Sequence, residues 1–579
     1  MKLNDFNKEL KKEYHDNIDN QPRKQKKILF NPLFIFGVIV LFIVSAFAIN
    51  KIYVSNFNNS LIQKLSSNFD TAEKLIKINS GYELSNYSDN EIKVSWIDSI
   101  FNSVSMKNTG IEPNNDIAAG TSPMTSINTN VREKEIDEAD IAKCDGKYIY
   151  YLYKVDYVNY VRQIYDLNSN LIVSQNIHYY AEKNQYYNVR GAYPGDIKCF
   201  VKDNKIIIEG GLFIRIYDFT NNILTLETEF YGKFNESRLY DNIYYFIGFI
   251  GWVNENIDYN NLYYDGYSIP KYVNRMYKYN LDSKEIDTVD MVSSGYTIYM
   301  NQDYIVLTSK IMKKQWIEDK KISYDGPNLI GDISVFSVFD TGLNPICVFK
   351  AAGIIINSYA IDIKDNKLRV VTTNVSYEKE KCNNLVIFDI KEKMRLSIID
   401  NNLGEGYESV KSVRFEGDKC FVVTYRTTDP LYEIDLNDMN NPVIVDSYKA
   451  PGYSGYLHYL TINGNDYVLG LGYIDTYNSK ISLYKDEDTN IQIGKDYLIE
   501  NQIIVSDSHV YRIITSNEDN CIYLGLPYSK VSYIIYKIDV LTGNVSIHKE
   551  YVVDNYTRSF IIDSVIYIPT TQKLIVDNL

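Results

Sequence analysis

Apolar and polar positions alternate in short runs along most of the chain, and the runs recur in a fixed order. A strand-like run closing on an acidic or amide residue appears as RQIYDL, IRIYDF, MYKYNL, VFSVFD, LVIFDI, LYEIDL, ISLYKD and IIYKID. The closing residues are Asp166, Asp218, Asn280, Asp340, Asp389, Asp435, Asp486 and Asp539, spaced 46 to 62 positions apart. Ahead of each stands a polar turn followed by an apolar strand, as in DGKYIYYL, DNKIIIEG, DNKLRVVTT and EDNCIYLGL. Turn followed by alternating strand is the signature of a hairpin. A further strand such as NLIVSQNI, NPVIVDSY or NVSIHKEY follows the closing residue.

Each unit therefore supplies about four antiparallel strands, and the spacing matches a repeat of about 40–50 residues lengthened by loops. A small sheet of this kind buries both faces only by stacking radially on its neighbours. The pattern predicts an all-β chain, a β-propeller of eight four-stranded antiparallel blades, with seven or nine open. The count is open because IDSVIYIPTTQKLIVDN at the C-terminus reads as a truncated ninth unit. That unit either completes a blade with strands from residues 127–144 or stands as a blade of its own.

The N-terminal part has other periods. Residues 28–49, ILFNPLFIFGVIVLFIVSAFAI, carry no charge and are long enough to span a bilayer as a helix. Arg23, Lys24, Lys26 and Lys27 precede them, whereas the next 15 residues offer only Lys51 and Lys64. This bias puts residues 1–27 in the cytoplasm and the bulk of the chain outside, on a single-pass anchor. Ala46-Phe47-Ala48 is an alternative cleavage site, which would release the same domain. From Phe57 to Ile78, Leu61, Ile62, Leu65, Phe69, Leu75 and Ile76 fall at mostly helical spacing and predict a short helical stalk. Residues 102–130, rich in Ser, Thr, Asn, Gly and Pro, read as a linker, so residues 50–127 are stalk and linker and the propeller occupies 128–579.

Charge narrows the function. The net charge of −14 excludes a nucleic-acid binder that works through clustered Lys and Arg. Asp137-Glu138-Ala139-Asp140 spells the acidic box of a helicase, but the chain has no G-x-x-x-x-G-K-[ST] loop to cradle phosphates and no βαβ pattern. Calcium is the one cofactor considered, on Asp137, Glu138, Asp140 and Asp145, although their spacing lacks the D-x-D-x-D-G form; otherwise no cofactor and no metal is expected. The six cysteines, Cys144, Cys199, Cys347, Cys382, Cys420 and Cys521, form no C-x-x-C pair and read as buried thiols. His15, His178, His458, His509 and His548 are too scattered for a metal centre.

The longest distinctive run is SVRFEGDKCFVVTYRTTDPLYEIDLNDMNNPVIVDSYKAPGYSGYLHYL, residues 412–460. It resembles a prokaryotic family of secreted or membrane-anchored β-propeller proteins distantly related to WD40 repeats. Thr129-Asn130-Val131 leading to Asp137-Glu138-Ala139-Asp140-Ile141, and Leu368-Arg369-Val370 with Thr372-Thr373, agree with it. Glu135, Tyr459 and Cys144 depart from residues the family favours, which are Gly, Pro and Thr. The resemblance covers about residues 125–579 and implies a fold and a compartment, with no particular activity.

Arg238, Arg369 and Arg414 stand at entrances to apolar strands, where charged side chains line the channel and top face or lock blades together. His458 lies inside the family-like run, and Asp429-Pro430 suits the start of a turn. These five, Arg238, Arg369, Arg414, Asp429 and His458, are the candidate ligand-binding residues; no catalytic residue is assigned. The expected function is a non-enzymatic binding or scaffolding module outside the membrane, with a protein or glycan ligand. The alternative is an extracytoplasmic hydrolase or lyase acting on envelope glycan or peptide.

Overall fold

Nine sheets follow one another along the chain in the computed structural model. It describes residues 69–80, 131–133, 135–156, 159–178, 197–252, 259–267, 272–293, 297–311, 332–373, 383–400, 402–404, 408–425, 428–475, 477–486, 491–500 and 508–579. Residues 28–49 and the N-terminal part of the expected stalk lie outside them. Among the described residues no helix is long and apolar enough to cross a membrane.

The sheets are blades 1 to 9, at residues 142–178, 198–231, 233–293, 297–352, 361–399, 409–451, 453–499, 512–552 and 560–578. The four main strands of each of blades 1 to 8 run antiparallel in chain order from the first outward; in blade 3, Leu262–Tyr264 adds in parallel outside Ile286–Ser293. The recurring acidic or amide residue lies at or near the end of the third strand, and its repetition has a local cause. The Asp389 carboxylate accepts from the backbone N–H groups of Lys391 and Glu392 at 2.8 and 2.9 Å, and Asp539 does the same for Leu541 and Thr542. Asp166, Asn280, Asp340 and Asp435 hold the equivalent turn. Asp389 also binds Lys367 of the second strand at 2.7 Å. Asp389→Ala is expected to cost about 2–3 kcal/mol in urea denaturation, the loss of two charge-assisted turn bonds and a lysine contact at a buried carboxylate.

Apolar side chains between neighbouring sheets form the core. Phe421, Leu431, Leu457 and Val468 join blades 6 and 7, and Tyr533, Ile535, Ile566 and Ile568 join blades 8 and 9. Tyr151, Tyr165, Phe560 and Tyr567 pack blade 9 against blade 1 and close the ring. Among the described residues the blades therefore number nine, the upper of the counts left open beside the favoured eight. Phe560–Ile562, Val565–Pro569 and Leu574–Asn578 pair only with one another, as a three-stranded blade. Ala142–Cys144, which was the alternative completion, pairs with Tyr148–Lys154 as the first strand of blade 1.

The described end of the expected helical stalk is extended. Thr71 and Glu73 bridge Met394 of blade 5 and Val348 of blade 4, and Ile76–Ile78 pairs with Leu262–Tyr264 on the outer side of blade 3. Outer strands present unpaired N–H and C=O groups, and an extended segment satisfies them where a helix would not. Ile78 is buried against Val273 and Val292. The helical spacing of apolar residues was overridden by those sheet edges.

Candidate functional site

The run that spells Asp-Glu-Ala-Asp lies along the inner edges of the blades. Ile136–Asp137 adds to the first strand of blade 3, opposite Tyr240 and Leu239. Asp140 then exchanges backbone bonds with Cys199 of blade 2, at 3.1 and 2.8 Å. Ala142–Cys144 follows as blade 1. The segment thus crosses two inner strands before it becomes the first strand of blade 1, and its side chains reach further blades.

Arg132 donates to the Ser358 carbonyl at 2.5 Å and faces the Asp362 carboxylate of blade 5 at 3.4 Å. Its guanidinium lies over the rings of Tyr299 and Tyr359. Glu133 accepts from the Tyr299 hydroxyl of blade 4 at 3.0 Å. Glu138 faces Arg238 of blade 3 at 3.4 Å, and its other oxygen meets His509 Nε2, just before blade 8, at 3.1 Å. Asp140 takes Arg558, just before blade 9, through Nε at 3.0 Å to each oxygen and Nη2 at 2.8 Å. Lys143 binds Asp137 at 2.6 Å and the Glu138 carbonyl at 2.5 Å. Arg132, Glu133, Glu138, Arg238, Tyr299 and Ser358 line a small cavity with room for about one water molecule.

Burial opposes charge on Glu138, and Arg238, the His509 hydrogen bond and Lys143 outweigh it, holding the carboxyl down to about 2. Glu133 shows the opposite balance: burial lifts its pKa although Arg132 stands beside it. Arg132, Glu138 and Asp140 each meet an opposite charge from elsewhere in the ring, while Asp137 pairs with Lys143 and Glu133 with Arg132 of the same segment, so the cluster ties the segment to the ring as an internal ionic network.

The five sequence candidates do not share one pocket. Arg238 belongs to the axial cluster and also donates to the Ile298 carbonyl of blade 4 at 3.3 Å. Arg369 is one link away: it binds Asp362, which also faces Arg132, and donates to the Gly417 carbonyl of blade 6 at 2.9 Å. Both arginines therefore tie adjacent blades. Arg369 sits on the second strand of its blade, whereas Arg238 and Arg414 sit on first strands, so the three positions are not equivalent. Arg414 binds Glu416 at 2.7 Å. His458 is buried, shares a 2.6 Å hydrogen bond between its Nδ1 and the Tyr456 hydroxyl, and is pulled down to about 3 by burial and the Arg414 charge. It is neutral at pH 7. Asp429 lies within the strand Thr428–Asp435, paired with Ala450, and does not start the turn expected of it. The Pro430 that suggested a turn sits near the beginning of the third strand of blade 6.

The four carboxylates considered for calcium have separate partners. Asp137 takes Lys143, Glu138 takes Arg238 and His509, and Asp140 takes Arg558. Asp145 accepts from the N–H groups of Lys147 and Tyr148 and from the Tyr150 hydroxyl. Among the described residues no three His, Cys, Asp or Glu side chains are grouped to hold a metal ion. Cys144, Cys199, Cys347, Cys420 and Cys521 are buried free thiols, and burial pushes those of Cys144, Cys199 and Cys347 up to about 12. Arg132, Glu133 and Arg558 were not singled out from the sequence. Their one local signal is that Arg132 and Glu133 lie where the polar linker meets the first apolar positions.

Two archaeal proteins are similar in sequence. An uncharacterised protein of Methanocaldococcus jannaschii is 38% identical over 144 residues, which are 24% of this chain and 22% of that protein. An uncharacterised protein of Archaeoglobus fulgidus is 25% identical over 480 residues, 68% of this chain and 75% of that one. The chain thus spans under a quarter of the first relative and three quarters of the second. Among solved structures, the beta-propeller domain of the Trilobed protease from Pyrococcus furiosus aligns over 59% of this chain and 92% of its own, at 11% identity and a TM-score of 0.31. Apo AztD from Citrobacter koseri aligns over 72% and 96%, at 10% identity and a TM-score of 0.33. Residues 126–249 and 251–574 match the family model described as beta propeller domain. With nine radially packed sheets and most of its length inside that match, the chain belongs to the beta propeller domain family.

Proposed function

We propose that this propeller is a binding or scaffolding module, held outside the cytoplasmic membrane by the helix at residues 28–49, that presents a ligand site on one face of the ring. The observation that carries the reading is the axial network. The central charged groups, which in a hydrolase or lyase would be the acid and base, are engaged by the chain's own segment: Glu138 with Arg238 and His509, Asp140 with Arg558. Glu138 is a poor proton donor at neutral pH, because its carboxyl is held near 2. Recognition is then left to the faces of the ring.

The test is co-purification of the full chain from envelope extracts. A partner or polymer recovered in stoichiometric amount, through repeated washing, is the expected result. Turnover of a cell-wall polymer that Glu133→Gln abolishes while melting stays unchanged would overturn the reading in favour of a hydrolase or lyase. A C-terminal tag accessible to protease on intact cells is the accompanying expectation for topology.

A further inference from the structure

Blades 6 and 7 meet at one end of the ring in a cluster of tyrosines beside a lysine, apart from the axial network. The end concerned is the one where the fourth strand of a blade hands over to the first strand of the next. Tyr425 closes the second strand of blade 6, Lys419–Tyr425. Tyr453 opens the first strand of blade 7, Tyr453–Ile462, directly opposite Tyr473. The Tyr425 and Tyr453 rings lie 4.8 Å apart at 41°, and those of Tyr453 and Tyr473 5.2 Å apart at 42°. All three are half-buried. Rings tilted in sequence form a shallow trough.

The backbone is arranged around that trough. The register of blade 6 shifts between Val410 and Ser412, leaving Lys411 as the extra residue of a bulge, and that of blade 7 shifts between Ser454 and Tyr456, leaving Gly455. Bulges re-aim side chains. The Lys411 ammonium accordingly lies over the Tyr453 ring, 5.6 Å from its centre. A Cβ on Gly472 would fall 1.9 Å from the Tyr453 carbonyl oxygen, so only glycine lets the two strands approach and set the rings side by side.

Lys411 also differs from the other half-buried lysines. Lys419 holds Glu433 and Asp486, and Lys205 holds Asp218 and Glu227. No described carboxylate pairs with Lys411, and burial pulls its pKa below the ordinary lysine value with nothing offsetting it. In a chain of net charge −14, a cation with no carboxylate paired to it among the described residues, set against an aromatic platform, suits the recognition of an anion.

We propose that this trough binds an acidic glycan, a sugar ring stacking on Tyr425 and Tyr453 and its carboxylate taking the Lys411 ammonium. Tyrosine supplies a rigid face to C–H bonds at small entropic cost. An ammonium on a flexible stem accepts a carboxylate as a point charge. A peptide would be held chiefly through main-chain pairing, and here the strand ends at Ser409, Tyr425, Tyr453 and Tyr473 are already paired with one another. The proposal rests on the binding-module reading and gives it a site and a ligand class.

The test uses the full chain in detergent, titrated with oligogalacturonate, with its methyl ester and with polyglutamate as comparison probes. Saturable binding of oligogalacturonate is expected, weakened about tenfold or more by methylation, by Lys411→Gln and by Tyr453→Ala. Lys411→Arg should retain part of it, and Lys530→Gln, at another lysine over a tyrosine, should leave it unchanged. Melting of Lys411→Gln should match the parent protein. No binding of oligogalacturonate, equal binding by Lys411→Gln, or polyglutamate bound as tightly as the glycan would each overturn the site. A different ligand captured undiminished by Lys411→Gln and Tyr453→Ala leaves the module reading standing without this site. That broader reading fails if co-purification with the parent protein recovers nothing, or if Glu133→Gln abolishes turnover of a cell-wall polymer.

Discussion

Replacing Glu138 by alanine is expected to remove about 3–5 kcal/mol of stability, because it leaves the guanidinium of Arg238 buried beside His509 with Glu236, at 3.5 Å, as its remaining described carboxylate. Glu138 is 4% exposed and Arg238 5%, so water cannot take the carboxylate's place. Glu138→Gln keeps the shape and one hydrogen bond but not the charge, and should lose most of the same amount. The double variant Glu138→Leu, Arg238→Met removes both charges and should recover much of the loss, which separates the cost of an orphaned charge from the net worth of the pair. Urea denaturation of the four proteins at pH 7 supplies the comparison. Equal losses for the single and double variants would show that volume, not charge, matters there.

The same group sets a pH dependence of known sign. Its folded pKa, about 2, lies below the ordinary value of 4.5, so the unfolded chain binds the proton first as pH falls. The contribution is complete above about pH 4.5 and declines progressively toward pH 2. Glu138→Ala should therefore show a shallower loss of stability over that window than the parent, read from denaturation midpoints at several pH values.

Much of the fold is legible because its cause is local. Asp166, Asp389 and Asp539 recur because every third strand must turn, and a carboxylate bonding the next N–H groups solves the same local problem each time. The hairpin turns and the buried thiols are equally local. Blade 9 was visible as a turn and a strand, but its independence depended on which edge Ala142–Cys144 would choose, a pairing across more than 400 positions. The strap at Thr71–Ile78 misled for a similar reason: the spacing of apolar residues read as a helix, and the outer edges of blades 3, 4 and 5 decided for an extended chain. At the axis, the acidic run announced itself, while its partners did not. Arg558 and His509 lie 418 and 371 positions from the carboxylates they hold, and no spacing in the sequence connects them. Arg238 and Arg369 were found because a charge at the mouth of an apolar strand stands out. The trough at Tyr453 was hidden by the abundance of tyrosine, since 54 of them make any one uninformative.

Asp140→Ala is the second large loss expected, again about 3–5 kcal/mol, with a different distribution over the ring. Asp140 is 1% exposed and accepts three close contacts from Arg558, itself 3% exposed. The backbone of Asp140 is bound to Cys199 of blade 2, and Arg558 leads directly into blade 9. One side chain therefore fastens the last blade to the segment that begins the first, across the only seam where chain continuity does not join neighbours. Blade 9 has three strands, so it has less sheet of its own to resist separation. Hydrogen exchange in Asp140→Ala should quicken first in Val565–Pro569 and Tyr148–Lys154, on either side of the seam, while Lys367–Thr373 and Lys419–Tyr425 keep the parent's protection. Glu138→Ala should instead loosen the blade 3 strand Lys233–Tyr240 first, because Arg238 lies on it. The order of exchange thus distinguishes a ring that opens at its closure from one that loses its axis, and uniform acceleration in Asp140→Ala would contradict the assignment of Asp140 and Arg558 to the closure.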